Sequence, residues 1–279
     1  MPELPEVETI KEALKKTIKG AVIQSVTVRK RQFREIIPAD FERRIENTTI
    51  CQIYRKAKYI IIELNNGLSL IWHLGMSGRV KICDALPDVL DKHDHIIFQT
   101  SKGVIIYNDA RRFGLMAYCE SDNLNTHHLF GRTGIEPFDD LLTPQYFLKQ
   151  IKHKKIPIKT ALLDQSIING IGNIYASESL YEAEISPLRP CCDISDDEAD
   201  RLIAAIRKTL NKAIAAGGST LRDYRQPDGS MGYFQNQHCV YNKTGQRCPD
   251  CTCDIQKSGG IKRIIQCGRS TFYCEQRQK

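Results

Sequence analysis

The first residues of the chain, Met1-Pro2-Glu3-Leu4-Pro5-Glu6-Val7-Glu8-Thr9, carry the clearest candidate nucleophile. An initiator methionine is usually removed when the second residue is small, so we expect the mature chain to begin with the secondary amine of Pro2. An α-amino group has an ordinary pKa of about 7.7–8.0 and a lysine about 10.4, so the terminal amine is the one more often neutral at pH 7. Its attack on a sugar C1′ or an aldehyde gives a permanently cationic iminium ion, which favours elimination at the neighbouring carbon. Glu3 is a candidate proton donor or acceptor beside it.

A helix is predicted directly after this amine. Pro5 suits a first helical turn, and two acidic residues complement the positive end of a helix. Apolar residues then recur at three- and four-residue spacing, and a basic stretch ending in Gly20 indicates the stop; the residues are Val7, Ile10, Leu14 and Ile18, then Lys15, Lys16 and Lys19. The helix dipole would lower the pKa of an amine at Pro2 and attract phosphate. An ordinary capped helix behind an inert, processed tail is the alternative that these residues leave open.

The cysteines indicate a metal site near the C-terminus. The chain has eleven, an odd number without a secretory signal, which argues against a disulfide scaffold. Cys248 and Cys251 form a two-residue knuckle and Cys274 follows a hairpin-like segment, so we predict a zinc ribbon with these three as ligands.

The fourth ligand of this ribbon is missing from its expected position. A second knuckle would place it at 277, where the chain has Arg277, which cannot bind zinc. The 22 residues between Cys251 and Cys274 exceed the usual interval of about 15–20, which an insertion around 256–260 would explain. Cysteine or histidine elsewhere could substitute, and Cys267 is preferred because it lies in the same hairpin; the other candidates are Cys253, Cys239 and His238. A zinc-free hairpin held by packing is the alternative.

Composition limits the class of protein. The 279 residues and 31.8 kDa fit one large or two ordinary domains with real cores. No apolar run approaches the roughly 18–20 residues of a membrane span, and the acidic start is unlike a signal peptide, so we expect a soluble cytoplasmic protein. The net charge of +7 and pI near 8.8 favour an anionic partner, although a basic surface can also serve solubility alone.

The order of patterns predicts an α+β protein. Short β-branched or aromatic segments separated by turns fill the first part and indicate a β-sandwich or barrel; they span 21–28, 59–64, 68–73, 95–100 and 104–107. Residues 120–143 are polar and proline-punctuated, as in a linker. Helical patterns follow at 144–152, 158–164, 176–183 and 196–216, the last with Ser195 and Glu198 as a capping box. We therefore predict a β-rich domain at 1–119, a linker at 120–143, a helical domain at 144–237 and a zinc-finger-like hairpin at 238–279.

A series of ordered motifs resembles the bacterial formamidopyrimidine-DNA glycosylases, DNA-repair enzymes that use an N-terminal proline. Besides the opening residues, the resemblance is carried along nearly the whole chain by Arg55-Lys56-Ala57-Lys58-Tyr59, His73-Leu74-Gly75-Met76-Ser77-Gly78, Lys92-His93-Asp94-His95, Asp109-Ala110-Arg111-Arg112-Phe113-Gly114, Gly170-Ile171-Gly172-Asn173-Ile174-Tyr175-Ala176-Ser177-Glu178 and Gly268-Arg269-Ser270-Thr271. In the related endonuclease VIII branch a glycine usually follows the glutamate, so Leu4 favours the formamidopyrimidine branch.

The resemblance implies catalytic roles for Pro2, Glu3, Lys58 and Arg269. The Lys58 charge would hold a phosphate and assist β-elimination. Arg269, which we expect at the tip of a hairpin formed by residues 268–271, would grip the phosphate at the lesion and take part in δ-elimination. On residues alone, Lys58 belongs to a solvated rim and Arg269 to an exposed turn.

The resemblance also implies DNA-binding roles. Met76, Arg111 and Phe113 would fill the gap left by an extruded base, although Ala110 stands where the family usually has proline. The glycine turn before Asn173 would belong to a helix–two-turn–helix element that binds backbone phosphate, with further contacts from His93, Lys154 and Lys155. The loop at 220–235 would be mobile and cover an everted base. Without the resemblance, the histidine and lysines would be ordinary surface residues.

We therefore expect a monomeric base-excision-repair enzyme that binds damaged double-stranded DNA and holds one structural zinc ion. It would remove oxidised purines such as 8-oxoguanine and formamidopyrimidines, then nick the strand by β,δ-elimination. Two alternatives stay open: an endonuclease VIII-like enzyme for oxidised pyrimidines, and a noncatalytic protein that binds damaged DNA.

Overall fold

The computed structural model describes residues 2–220, 224–252 and 254–279. Its first half holds α1 (Leu4–Ile18), β1 (Val22–Val28), α2 (Phe41–Ile45), β2 (Thr48–Lys56), β3 (Tyr59–Leu64), β4 (Leu68–His73), β5 (Gly78–Cys83), β6 (Asp94–Thr100), β7 (Gly103–Asp109) and β8 (Leu115–Glu120). Its second half holds α3 (Pro144–Ile151), α4 (Ile158–Leu162), α5 (Asn173–Glu182), α6 (Asp196–Ala215), α7 (Ile255–Ser258), β9 (Lys262–Gln266) and β10 (Arg269–Tyr273). The predicted α+β class is confirmed.

The chain divides into two compact units. One comprises Met1–Gly131 with Ile214–Gln235, and the other Arg132–Ala213 with Asn236–Lys279. The segment Ile214–Gln235 begins with the last two residues of α6 and belongs to the unit formed by the first 131 residues. The domain limits predicted from the sequence, 1–119, 120–143, 144–237 and 238–279, stay predictions.

Helix α1 forms where the sequence predicts it. Glu3 is its N-cap, Pro5 lies in its first turn, and Glu3 and Glu6 form a capping box. The predicted apolar stripe is buried, and the chain leaves the helix through Gly20, whose φ of 75° suits a residue without a Cβ. The helix therefore buries one face in the core and holds its first residues in a fixed position.

The first unit is built on an eight-stranded antiparallel sheet in the order β5-β7-β6-β1-β2-β3-β4-β8. All five predicted strands are present. Strands β2, β5 and β8 were not among the predicted segments; β2 has a register shift between Ile50 and Gln52 that breaks its alternation, and β8 contains no β-branched residue. Strand β1 pairs with β2 over only two residue pairs, Val22 with Thr49 and Ile23 with Thr48, so the sheet consists of two four-stranded halves.

The two halves of the sheet share one core. Trp72 of β4 lies with its ring centroid 6.2 Å from that of Phe98 on β6 and 5.1 Å from that of Tyr107 on β7. Val7, Ile10, Leu14 and Ile18 of α1 belong to the same cluster of buried residues. Burial of these large side chains stabilises the unit, because apolar surface removed from water contributes about 25 cal/mol per Å².

The second unit contains helices α3 to α5, nearly all of α6, and a hairpin. The capping box predicted for α6 is present: Ser195 Oγ accepts from the Glu198 N–H, and the Glu198 carboxylate accepts from the Ser195 N–H at 3.0 Å. Helix α5 begins at Asn173, three residues before the predicted start. None of the helices in the described ranges combines the length and apolar character needed to cross a bilayer.

Strands β9 and β10 pair around a two-residue turn formed by Cys267 and Gly268. Both turn residues have positive φ, 48° and 73°, as a tight hairpin turn requires. The predicted tip at 268–271 is therefore wrong by about two residues, and Arg269 begins strand β10.

Candidate active site and metal centre

The N-terminal residues are buried and held by Glu6. Pro2 is buried, and Glu3 is only 4% exposed. Glu6 Oε2 accepts a 2.8 Å hydrogen bond from the Glu3 N–H, and Oε1 accepts one of 2.8 Å from the Ser219 N–H. A Cβ at Gly218 would lie 2.9 Å from the Glu6 side chain, so the segment after α6 packs closely on the start of α1. This arrangement fixes the residue next to the candidate nucleophile.

Lys58 lies in the two-residue turn between β2 and β3, in the same compact unit as Pro2 and Glu3. It is 8% exposed, so most of the side chain is shielded from water while its charge still acts on its surroundings. One such effect is on His73: burial, followed by the charges of Arg34 and Lys58, lowers the pKa of that imidazole to about 4. His73 is therefore neutral at pH 7, and its Nδ1 accepts a hydrogen bond from the Gly75 N–H at 3.0 Å.

A groove of about 580 Å³ lies on the surface of the first unit. It brings together the three predicted void-filling residues, Met76, Arg111 and Phe113. Met76 is 37% exposed and Phe113 49%, and both line the same groove; the Arg111 guanidinium lies 4.5 Å from the centre of the Phe113 ring. The groove thus presents an apolar surface with a cation, which can stack against bases and attract phosphate.

Asp109 organises the loop that carries Arg111 and Phe113. It is fully buried, and its carboxylate accepts from the backbone N–H groups of Arg111 at 3.2 Å and Gly114 at 2.9 Å. Gly75 lies where the two groove loops touch, and an added Cβ would meet the backbone of residues 113 and 114 at 2.4 Å. The predicted phosphate contact His93 lies next to this loop, since its carbonyl accepts from the Asp109 N–H at 3.0 Å.

In the second unit, Asn173 is bound to the hairpin that carries Arg269. Asn173 Nδ2 donates to the Ser270 carbonyl at 2.8 Å. Lys159 is 1% exposed, and its Nζ donates to Asn173 Oδ1 at 2.6 Å, to Thr271 Oγ1 at 2.7 Å and to the Ser270 carbonyl at 3.1 Å. The structure therefore brings together the start of α5 and the beginning of β10.

The other cationic candidates of this unit are accessible. Arg269 is exposed and Lys155 is exposed, whereas Lys154 is half-buried, with its carbonyl accepting from the Cys192 N–H at 3.1 Å. Exposed cations of this kind can bind an anionic partner without the cost of burying a charge.

Glu178 of α5 fixes the chain that leads into the hairpin region. Its buried carboxylate accepts from the backbone N–H groups of Cys239, Val240 and Tyr241 at 2.7, 3.0 and 2.7 Å. Burial raises the pKa of Glu178, and the three backbone donors oppose that rise. Because three consecutive N–H groups share one carboxylate, residues 239–241 are held against the helix.

Three thiols converge beside this segment. The sulfur atoms of Cys248, Cys251 and Cys274 all lie within 4.8 Å of one another, and those of Cys248 and Cys274 are 3.4 Å apart. Zinc–sulfur bonds of about 2.3 Å in a tetrahedron place two sulfurs about 3.8 Å apart, so the three thiols fit three corners of such a site. The predicted three-cysteine cluster is thus present as a candidate metal centre.

Cys267, the preferred fourth ligand, does not lie with the three convergent thiols, so this preference is corrected. It occupies the hairpin turn, at the end of the hairpin opposite Cys274, and its sulfur lies 3.7 Å from Thr160 Oγ1. Cys239 and His238 are also outside the group of convergent ligands found in the described residues, and Cys253 lies outside those residues. Arg277 instead pairs with Glu184 at 2.9 Å and lies 5.0 Å above the Tyr181 ring.

Several buried polar residues that hold the site were not predicted from the sequence. Glu6, Asp109, Lys159 and Glu178 each bind backbone or side-chain groups beside a candidate residue. The signal for Lys159 was available, because it interrupts an otherwise apolar helical pattern at 156–162. The carboxylates gave no comparable signal, since each has the appearance of an ordinary helix or turn residue until its partners are known.

The sequence and the fold match one family. Residues 1–116 match the formamidopyrimidine-DNA glycosylase N-terminal domain, and residues 133–225 match the formamidopyrimidine-DNA glycosylase H2TH domain. A formamidopyrimidine-DNA glycosylase from Rickettsia africae (strain ESF-5) is 47% identical over 276 residues, 99% of this chain and 98% of that protein.

Solved structures agree with these matches. Wild-type Lactococcus lactis Fpg in complex with DNA containing an oxidised pyrimidine has a TM-score of 0.89 and 32% identity, with full coverage of both chains. A mutant of the same protein in complex with a Fapy-dG containing DNA has the same TM-score, identity and coverage. With both domains matched in order and the whole length covered, this chain belongs to the formamidopyrimidine-DNA glycosylase family.

Proposed function

We propose that this protein is a DNA glycosylase and abasic-site lyase of base excision repair that uses the Pro2 amine as its nucleophile. The observation that carries the proposal is the N-terminus: Pro2 is buried directly before a capped helix, and Glu3 beside it is fixed by Glu6. Residues near a chain end are usually disordered, so the burial of Pro2 and Glu3 supports a function for them. The proposal requires removal of Met1, which frees the secondary amine.

The chemistry begins with formation of a bond between the Pro2 nitrogen and C1′ of the damaged nucleotide. The bond from C1′ to the base breaks, and the base leaves with the proton that the Pro2 nitrogen gives up. Protonation of the ring oxygen by Glu3 opens the sugar ring to an iminium ion, which makes the C2′ proton acidic. Loss of that proton expels the 3′ phosphate in β-elimination, and loss of a C4′ proton then expels the 5′ phosphate in δ-elimination. Water then releases the sugar fragment from Pro2.

Three further residues serve these steps. Glu3 protonates the sugar and helps the base to depart, for which a carboxyl group beside the nucleophile is suited. Lys58 holds a phosphate and assists β-elimination; its shielded position strengthens its electrostatic effect. Arg269, exposed at the start of β10, grips the phosphate at the lesion and promotes δ-elimination.

Damaged double-stranded DNA is the partner, bound by one copy of the chain. Met76, Arg111 and Phe113 fill the gap when a base is extruded, which the shared groove and their exposure support. His93, Arg111, Lys154 and Asn173 contact the DNA backbone. Since the substrate is the chromosome, we place the protein in the cytoplasm.

One zinc ion with a structural role completes the proposal. Cys248, Cys251 and Cys274 would hold it as thiolates, and the bound ion would tie the knuckle to the end of the β9–β10 hairpin. Lys159 and Asn173 fix the other end of the hairpin by hydrogen bonds to Thr271 and Ser270, and these bonds position Arg269. Metal analysis of the purified protein with Cys274→Ser as the comparison tests this assignment; one zinc per chain, lost in the variant, is expected.

Oxidised purines are the proposed substrates, with oxidised pyrimidines as the second candidate. Leu4 favours the purine branch, and a related Fpg has been crystallised with Fapy-dG DNA. The same relative has also been crystallised with an oxidised pyrimidine, which favours the second candidate. Single-turnover base release from 8-oxoguanine and thymine-glycol duplexes separates them. Faster release of 8-oxoguanine is expected, and faster release of thymine glycol would reverse the assignment. Release of neither base by folded protein that still binds both duplexes would favour a noncatalytic DNA-binding protein.

A further inference from the structure

The turn that carries Lys58 has an unfavourable backbone conformation. Lys56 pairs with Tyr59 across β2 and β3, which leaves Ala57 and Lys58 as a two-residue turn. Ala57 has a φ of 54°, a left-handed value that residues with a Cβ adopt rarely and that glycine usually supplies in such turns. Such a conformation persists only when the surrounding structure holds it.

The Arg55 side chain is bonded to this turn. Its Nη1 donates a 2.9 Å hydrogen bond to the Ala57 carbonyl, and its Nε donates one of 2.8 Å to Glu8 Oε2. The Arg55 side chain is only 9% exposed. One guanidinium thus bonds the strained turn and a carboxylate at the same time, which a lysine could not do with the same geometry.

Glu8 connects this clamp to α1. Its other oxygen lies 2.6 Å from Lys11 Nζ, so the carboxylate is fixed from two sides. Burial alone would raise the pKa of Glu8, but hydrogen bonds from Lys11 and Arg55 hold it below its ordinary value. The carboxylate is therefore ionised at neutral pH and belongs to the helix that begins beside Pro2 and Glu3.

We propose that Glu8 and Arg55 are positioning residues that fix the turn bearing Lys58 to the helix that begins beside the Pro2 nucleophile. The inference rests on the proposed role of Lys58 in β-elimination. Neither residue contacts DNA in this account; both act through the position of the Lys58 amine. A shift in that position is costly, because electrostatic assistance depends on the amine reaching the correct phosphate.

The test is a double-mutant cycle read by strand cleavage at a preformed abasic site under single-turnover conditions. Arg55→Met and Glu8→Gln should each slow β-elimination about tenfold. The two substitutions change net charge in opposite directions, so a loss in both excludes a bulk charge effect. Arg55→Lys should not restore the rate. In a Lys58→Met background, Arg55→Met should add less than about a twofold loss, because the group that it positions is already gone.

Arg44→Met is the matched control, since Arg44 also pairs with a glutamate, Glu120 at 3.1 Å, in the same unit but on the surface. It should cleave at the wild-type rate. The proposal is overturned if Arg55→Met cleaves as fast as this control, or if it slows cleavage equally with and without Lys58, which would mark Arg55 as merely stabilising. Should Arg55→Met fail to fold, Glu8→Gln takes its place in the cycle.

The proposed function and this inference fail differently. If Lys58→Met cleaves at the wild-type rate, the role of Lys58 is wrong and the positioning inference falls with it. If Lys58→Met is slow while Glu8→Gln and Arg55→Met are both unchanged, only the positioning inference is overturned.

Discussion

Asp109 Oδ1 accepts a 2.6 Å hydrogen bond from Ser77 Oγ, and this bond joins the two loops that form the groove. Ser77 follows Met76, and Asp109 precedes the loop that carries Arg111 and Phe113. The other carboxylate oxygen of Asp109 accepts from Tyr107 Oη at 3.2 Å and from the Gly114 N–H at 2.9 Å. One buried carboxylate therefore sets the relative positions of all three side chains proposed to fill the gap in DNA.

Replacing this carboxylate should disturb the groove. Both carboxylate oxygens of Asp109 accept hydrogen bonds, and Asp109→Asn replaces one of them with an NH₂ group that cannot accept. We therefore expect a loss of about 1–3 kcal/mol in unfolding free energy and a weaker preference for damaged DNA. Urea unfolding and competitive binding of 8-oxoguanine and undamaged duplexes measure the two effects. Phe113→Ala is the control: it should lose the same preference with a stability change within about 0.5 kcal/mol, since the ring is exposed. A variant Asp109→Asn with unchanged preference would show that the loops hold their positions without the carboxylate.

The Glu6 carboxylate should be required for the reactivity of the N-terminus. In Glu6→Gln, one of the two backbone N–H groups would meet the side-chain NH₂ group instead of an accepting oxygen. This loss of a hydrogen bond should lower the free energy of unfolding by about 1–3 kcal/mol. The Glu3 backbone would lose its fixed position, so formation of the iminium intermediate should slow at least tenfold by an order-of-magnitude estimate. The rate of borohydride trapping on an abasic duplex measures this loss. Glu12→Gln, an exposed change on the same helix, should leave the rate unchanged; equal rates for both variants would contradict the proposed role of Glu6.

The free energy of unfolding should decrease as the pH is lowered, because His73 is buried in its neutral form. Its folded pKa of about 4 lies below the ordinary value of 6.5, so the unfolded chain binds more protons between these values. The contribution is complete above pH 6.5 and is lost as the pH falls towards 4, by up to about 3 kcal/mol. His73→Asn, which keeps an acceptor for the Gly75 N–H, should reduce the slope of unfolding free energy against pH by about one proton. The same slope in both proteins would place the titration elsewhere.

Arg277 should weaken metal retention. Arg277→Cys supplies a thiolate at the second position of a Cys-x-x-Cys knuckle, so the variant should lose zinc to a chelator at least tenfold more slowly by an order-of-magnitude estimate. Arg277→Cys also removes the ion pair with Glu184. The resulting loss of unfolding free energy should be small, because the glutamate is exposed. Cys267→Ser, at the opposite end of the hairpin, should lose metal at the wild-type rate. Faster loss from Cys267→Ser would mean that the hairpin rearranges on metal binding.

The sequence predicted the elements whose local patterns are unambiguous. Helix α1, the capping box of α6 and the glycine turn before α5 follow from spacing and residue type, and the structure contains each of them. The cluster of Cys248, Cys251 and Cys274 was also predicted, because a Cys-x-x-Cys pair followed by a distant cysteine is typical of a zinc site.

What could not be predicted depends on contacts between distant residues. The preference for Cys267 assumed that membership of one hairpin implies proximity, but a five-residue strand separates its turn from Cys274. The pairing of Glu8 with Arg55 spans 47 residues and leaves no periodic pattern. Asp109 is buried because its hydrogen-bond partners converge in three dimensions, and the hydrophobic pattern carries no information about such partners. Lys159 does interrupt an apolar pattern, but that pattern does not reveal its partners Asn173 and Thr271.

Borohydride trapping of the protein on an 8-oxoguanine duplex, followed by mass mapping of the crosslinked peptide, shows directly whether Pro2 is the nucleophile. We expect a crosslink at the Pro2 nitrogen of a chain that lacks Met1, and no crosslink when Met1 is retained by a Pro2→Leu substitution. A crosslink at Lys58 or another lysine would contradict this role of Pro2, as would base release and strand cleavage by a chain whose N-terminal amine is blocked.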